Sequence, residues 1–179
     1  DELVHVGPRG ALVRGFGRWQ VPLSIDGIRV YLPADNRLDF SRFLTADIAE
    51  VQISKGYVSV LDGPGGMGGA INLVTTKPTK TLETRFQAGS SFDRDSSFDA
   101  WNAYGMVGTK QDNWYAQVSG NFNDRDHWTL SDDFRSPSAA EDGGERNRSG
   151  TQDWRVNAKF GFTPNQTDEY SFNFTKQEG

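Results

Sequence analysis

Across residues 82–179, apolar and polar side chains alternate in segments of about ten residues, the length of a tilted membrane-spanning strand. In 154–162, Trp154, Val156, Ala158, Phe160 and Phe162 fall on one side, and Arg155, Asn157, Lys159 and Gly161 on the other, because successive strand side chains point to opposite faces. Trp114, Ala116, Val118, Gly120 and Phe122 repeat the pattern against Tyr115, Gln117, Ser119 and Asn121, and Tyr170, Phe172 and Phe174 repeat it against Glu169, Ser171 and Asn173. Residues 82–92 and 101–109 also look like strands. In the second, Tyr104 and Met106 compete with Trp101, Ala103 and Val107 for the apolar face, which leaves its register open. Connections 110–113 and 163–167 are short, whereas 124–150 is long, acidic and rich in Ser, Gly and Arg. Tight turns at one end, a long loop at the other and one apolar face suit a transmembrane β-barrel, and at roughly 20 residues per strand with its connection, 82–179 holds about five strands.

The stretch 1–78 has shorter apolar runs cut by Gly, Pro and Asp, and is expected to be a small α+β unit. PLSI and IRVY flank Asp26-Gly27, the strongest short hairpin signal, since both central turn positions need positive φ. Leu38, Phe40, Phe43, Leu44 and Ile48 stand at loosely helical spacing, with Asp39 or Ser41 able to cap the start, so one or two short helices are expected in 38–50. Strands are expected at 51–54 and at 70–76, where Ile71 and Leu73 alternate with polar positions. The division falls at 78/79: a plug-sized mixed sheet with short helices, then antiparallel strands of an incomplete barrel.

Composition supports a β-rich chain: 35% hydrophobic, 12% aromatic and 20 glycines in 179 residues. A net charge of −5 without a basic stripe argues against nucleic acid as a partner. The absence of cysteine removes disulfides, thiolate metal sites and cysteine nucleophiles. No run approaches the 18 or so apolar residues of a spanning helix, while barrel strands average to hydrophilic values such as the mean hydropathy of −0.64. The opening DELVHVGPRG carries no basic-then-apolar leader, so this N-terminus is expected to be mature or truncated.

Gly63, Gly65 and Gly68 match G-x-G-x-x-G, but the run leads into the strand AINLVTT rather than a helix, and no Lys-Ser or Lys-Thr follows, so a packed glycine turn is expected instead of a nucleotide site. His5 and His127 are too isolated for a metal site, and Asp126, Asp132, Asp133, Glu141, Asp142 and Glu145 read as a solvated acidic loop. Neither G-x-S-x-G nor H-E-x-x-H occurs, which leaves a β-rich hydrolase unsupported. No catalytic residue, resident metal or cofactor is expected.

The segment VQISKGYVSVLDGPGGMGGAINLVTTKP at 51–78 resembles the end of the plug in TonB-dependent outer-membrane receptors, with its basic residue and glycine, Gly-rich turn, G-G-x-I-N strand and T-x-x-P exit. Arg14-Gly15-Phe16 resembles the plug's R-G-F motif, and Ile25-Asp26-Gly27 its I-D-G hairpin. The resemblance covers most of 10–78 by motif and 79–179 by pattern. Lys55 stands where arginine is usual, and neither a TonB box nor strands beyond the fifth are recognised.

The resemblance implies a plug inside a barrel of about 22 strands, and an active-transport receptor for a ferric siderophore or other metal chelate. Cobalamin, haem and glycans are alternative cargoes, and any metal arrives within the cargo. The implied partners are the inner-membrane TonB–ExbB–ExbD system and outer-membrane lipid, and the implied location is the outer membrane of a Gram-negative bacterium. Apical plug loops bearing Arg18, Trp19, Gln20, Tyr31, Asp35 and Asn36 would meet substrate. Arg14 and Lys55 would latch plug to barrel by pairing with wall carboxylates in strands beyond the fifth. A non-transporting barrel or adhesin is the alternative.

Overall fold

Asp26 and Gly27 both take left-handed backbone angles, φ 50° and 79°, and close a two-residue turn between strands β3 (Leu23–Ile25) and β4 (Ile28–Val30). Leu23 faces Val30 and Ile25 faces Ile28, the tight hairpin that Asp-Gly favours. In this computed structural model, residues 4–7, 10–13, 15–17, 19–30, 44–93, 97–131, 133–135 and 144–179 are described. They divide into two units, Asp1–Thr76 and Lys77–Gly179.

In the first unit, β1 (Val4–Gly7) and β2 (Gly10–Val13) form a hairpin. A mixed sheet runs in the order β4-β3-β6-β5, with β5 at Ile48–Lys55 and β6 at Gly69–Thr75. β6 pairs parallel with β3, Leu23 beside Ile71 and Ile25 beside Leu73, and antiparallel with β5. Val13, Val21, Leu23, Ile71 and Leu73 are buried together, with Ile25 and Ile48 against them.

The helices expected in 38–50 are corrected for the part the structure describes; positions 38–43 lie outside the described residues. Thr45–Ile48 makes a single turn, the Ile48 amide donating to the Thr45 carbonyl at 3.0 Å. Ile48 then opens β5 opposite Thr75, and the Thr76 amide donates to the Asp47 carbonyl at 2.7 Å. Pairing with β6 satisfies this backbone, so the sheet overrides the helical spacing of Leu44 and Ile48. Among the described residues there is no α-helix, only a 3-10 turn at Val60–Asp62.

The second unit is a five-stranded antiparallel sheet of sequence neighbours: β7 (Glu83–Phe92), β8 (Phe98–Lys110), β9 (Trp114–Arg125), β10 (Thr151–Phe162) and β11 (Tyr170–Glu178). The order β11-β10-β9-β8-β7 leaves the sheet open, with β7 and β11 as its edges. Thr84, Val107, Val118, Ala158 and Phe174 form one row across all five strands. The next row, Arg85, Met106, Ser119, Asn157 and Thr175, points the other way.

Candidate functional site

The turn of β3 and β4 is held to the sheet by polar contacts reaching far along the sequence. The Asp26 carboxylate accepts from the Thr75 amide at 2.8 Å and from its hydroxyl at 2.7 Å. The Gly27 amide donates to Asn72 Oδ1 at 2.9 Å, and Asn72 Nδ2 donates to Gln52 Oε1 at 3.0 Å. The I-D-G motif therefore supplies a clamp on β6 as well as a turn.

Beside it, the glycine run takes shapes that side chains would block. At Gly65, φ is 90° and an added Cβ would stand 2.6 Å from the Trp19 carbonyl oxygen; at Gly68 a Cβ would overlap the Phe16 ring. The Gly68 amide donates to the Gln20 carbonyl at 2.9 Å, which ties this run to the preceding loop. Gln20 also closes that loop, its Oε1 accepting from the Gly17 amide at 3.2 Å. Because the run continues into β6, there is no helix N-terminus to receive a pyrophosphate, and the glycines serve close packing.

Trp19 is 55% exposed on this loop. Lys55 ends β5 opposite Gly69 and is exposed. Arg14, Arg18, Tyr31, Asp35 and Asn36 lie outside the described residues. Next to Arg14, the Val13 and Phe16 amides donate to each other's carbonyls at 3.0 and 2.9 Å, and Gly15 has φ 82°.

A further cluster was not anticipated. Lys77 Nζ donates to both Glu169 oxygens at 2.7 and 2.9 Å, and the Tyr115 hydroxyl donates to Glu169 Oε1 at 2.7 Å. The Lys77 ammonium, with help from the Tyr115 hydroxyl, holds the Glu169 carboxyl below its usual range. Tyr115 lies over Gly161, its cross-strand partner, where a Cβ would overlap the ring. The available signal was a tyrosine in the polar row facing the only glycine of that row in β10.

The sheet of the second unit is inverted in polarity. Gln117, Ser119, Asn121, Arg155, Asn157 and Lys159 are buried, each exposing 9% or less, while Val118, Val156, Phe160 and Phe162 expose 41% to 53%. The same alternation settles β8: Tyr104 and Met106 are buried, and Trp101 and Val107 face out. Aromatic pairs mark both ends of the apolar face, Trp101 with Phe122 at 4.7 Å and Trp114 with Phe160 at 6.3 Å between ring centroids. An apolar band flanked by aromatic girdles is how a strand sheet meets a bilayer.

At the long-loop end, Arg125 bonds Asp99 at 2.9 Å and stacks on Trp128 at 4.0 Å. His127 is buried between Asp126 and Glu145, at 3.5 and 3.6 Å. Among the described residues no three His, Asp or Glu side chains are grouped to hold a metal ion; Asp132, Glu141 and Asp142 lie outside them.

Residues 7–70 match the TonB-dependent Receptor Plug Domain. The chain is 25% identical over 137 residues to the vitamin B12 transporter BtuB of Vibrio vulnificus, covering 73% of this chain and 22% of that protein. In fold it is similar to the FrpB iron transporter of Neisseria meningitidis (TM-score 0.71, 21% identity, 94% of this chain and 25% of that one). It is likewise similar to the siderophore receptor PirA of Acinetobacter baumannii (TM-score 0.71, 17% identity, 95% and 25%). The chain thus spans about a quarter of the length of these relatives, which are transporters and receptors rather than enzymes. Plug motifs in a sequence that matches the plug domain identify residues 7–70 as a TonB-dependent receptor plug domain, and an inverted-polarity sheet follows it.

Proposed function

We propose that the parent protein is an active-transport receptor of the outer membrane of a Gram-negative bacterium, which binds an extracellular ligand and imports it with energy delivered through TonB. The observation that carries this reading is the inverted sheet following directly on a plug sequence: five strands, of which the inner β9 and β10 bury polar residues and expose apolar ones, attached to a unit whose loops are shaped by glycine. A ferric siderophore or other metal chelate is the favoured cargo, because iron and siderophore transporters stand among the structural relatives; vitamin B12 is the rival raised by the sequence relative.

In this reading Arg18, Trp19, Gln20, Tyr31, Asp35 and Asn36 meet the cargo, with Trp19 supported by its exposure. Gln20 acts mainly by shaping the loop, since its side chain already bonds Gly17. Arg14 and Lys55 pair with wall carboxylates. The test is binding and uptake of labelled ferric chelates and labelled vitamin B12 by intact cells. Collapsing the inner-membrane proton gradient should spare binding and abolish import. Replacing Trp19 and Tyr31 together by Ala should weaken binding by about 2 kcal/mol or more at normal receptor abundance. Import that persists without the gradient would sink the transport reading, and unchanged affinity in the double variant would remove these loops from the site.

A further inference from the structure

We propose that residues 77–82 form a strap anchored by the Lys77–Glu169–Tyr115 contact, so that tension on the plug is taken across the wall instead of peeling β7 from its edge. The inference rests on the transport reading only in supposing that the plug is pulled.

The strap is bonded along its length. At its start Lys77 grips Glu169, 92 residues away and immediately before β11. Pro78 sits on Gly108 of β8, where an added Cβ would come within 2.9 Å of the proline Cβ. The Thr79 amide donates to Glu83 Oε2 at 2.9 Å. The Lys80 carbonyl accepts from the Lys110 amide at 2.8 Å, and the Thr81 carbonyl accepts from the Thr109 hydroxyl at 2.6 Å. These contacts reach side chains or backbone on β7, β8 and β9 and the turn before β11.

Pro78 already stands over Gly108, the cross-strand partner of Glu83, so residues 78–82 lie against β7 and β8, and the Lys77 side chain alone carries the strap toward β11. Without the anchor, a pull on residue 76 would fall on the few contacts of residues 79–81 and then on the first residue of β7, and an antiparallel edge strand loaded at its end opens one hydrogen-bonded pair at a time. With the anchor, the pull passes to Glu169 and Tyr115 at the far side of the sheet. Glu169 is suited to this, since it accepts three hydrogen bonds and stays ionised. Tyr115 is suited too, because Gly161 lets its ring lie flat enough to reach.

The test is single-molecule pulling on the full-length parent in a lipid bilayer, with the handle on a cysteine introduced as Asp1→Cys. Wild type should stop extending when residues 1–76 are drawn out, at roughly 260 Å. Lys77→Gln with Glu169→Gln should lower the force at which this stop gives way by half or more. The charge-swapped pair Lys77→Glu with Glu169→Lys should bring it back, and Tyr115→Phe should lower the force at which the stop gives way. The folded barrel in each variant is verified by its heat-dependent electrophoretic mobility. An identical force in wild type and the Gln pair, or a swap that fails to restore it, overturns the proposal. A receptor that shows the stop but never imports cargo would refute the transport reading and leave the strap standing.

Discussion

Asp26 does two jobs at one position. Its backbone accepts φ 50° in the turn, and its carboxylate takes both the amide and the hydroxyl of Thr75. Asp26→Ala should therefore destabilise the plug by about 1–3 kcal/mol, since it strands a partly buried amide, and Asp26→Asn should recover part of this; protease sensitivity of the plug in the intact receptor measures both. Asp-Gly announced the turn, but the partner 49 residues on was invisible, because it depends on the parallel pairing of β3 with β6. Glu169 offers a pH test. Its folded pKa is depressed below 4.5, so its contribution is complete above about 4.5 and is lost as pH falls through the lower folded value. The stability advantage of wild type over Glu169→Gln, followed by thermal melting, should hold from neutrality down to that point and then shrink; an advantage that grows on acidification would contradict the contact.

Among elements, the wall strands were legible because lipid and lumen demand opposite side chains at alternate positions. Val156 is 41% exposed on the apolar face, and Asn157 is buried, with its amide nitrogen donating to Asn173 Oδ1 at 2.8 Å and Thr175 Oγ1 at 2.7 Å. Val156→Arg should cost about 2–4 kcal/mol if the site lies near mid-bilayer, whereas Asn157→Arg should cost about 1 kcal/mol from the lost bonds. Urea titration of the parent refolded into vesicles compares them, and equal costs would contradict the orientation of β10. The register of β8 was ambiguous in isolation, and its neighbour resolves it by placing Val107 beside Val118 and Met106 beside Ser119. The helical spacing around Leu44 and Ile48 misled for a related reason: an apolar pattern records which residues are wanted inside, and the β5–β6 ladder decided the backbone that delivers them.

For the whole molecule, the latch assigned to Arg14 predicts that Arg14→Ala loosens the plug and admits a small antibiotic through the receptor, while wild type excludes it. Susceptibility of cells expressing equal amounts of each decides, and indistinguishable leakage retires the latch. The alternation of side chains in β7 to β11 has a consequence outside the finished protein. A polypeptide bound for an outer membrane crosses an inner one first, and machinery there retains segments of about 18 or more apolar residues as helices. Among the described residues no helix is long and apolar enough to cross a membrane, and along the wall strands apolar residues mostly alternate with polar ones. The hydrophobic surface comes into being only when strands pair, so under the proposed outer-membrane reading the chain would travel as a water-compatible thread and gain its affinity for lipid after export.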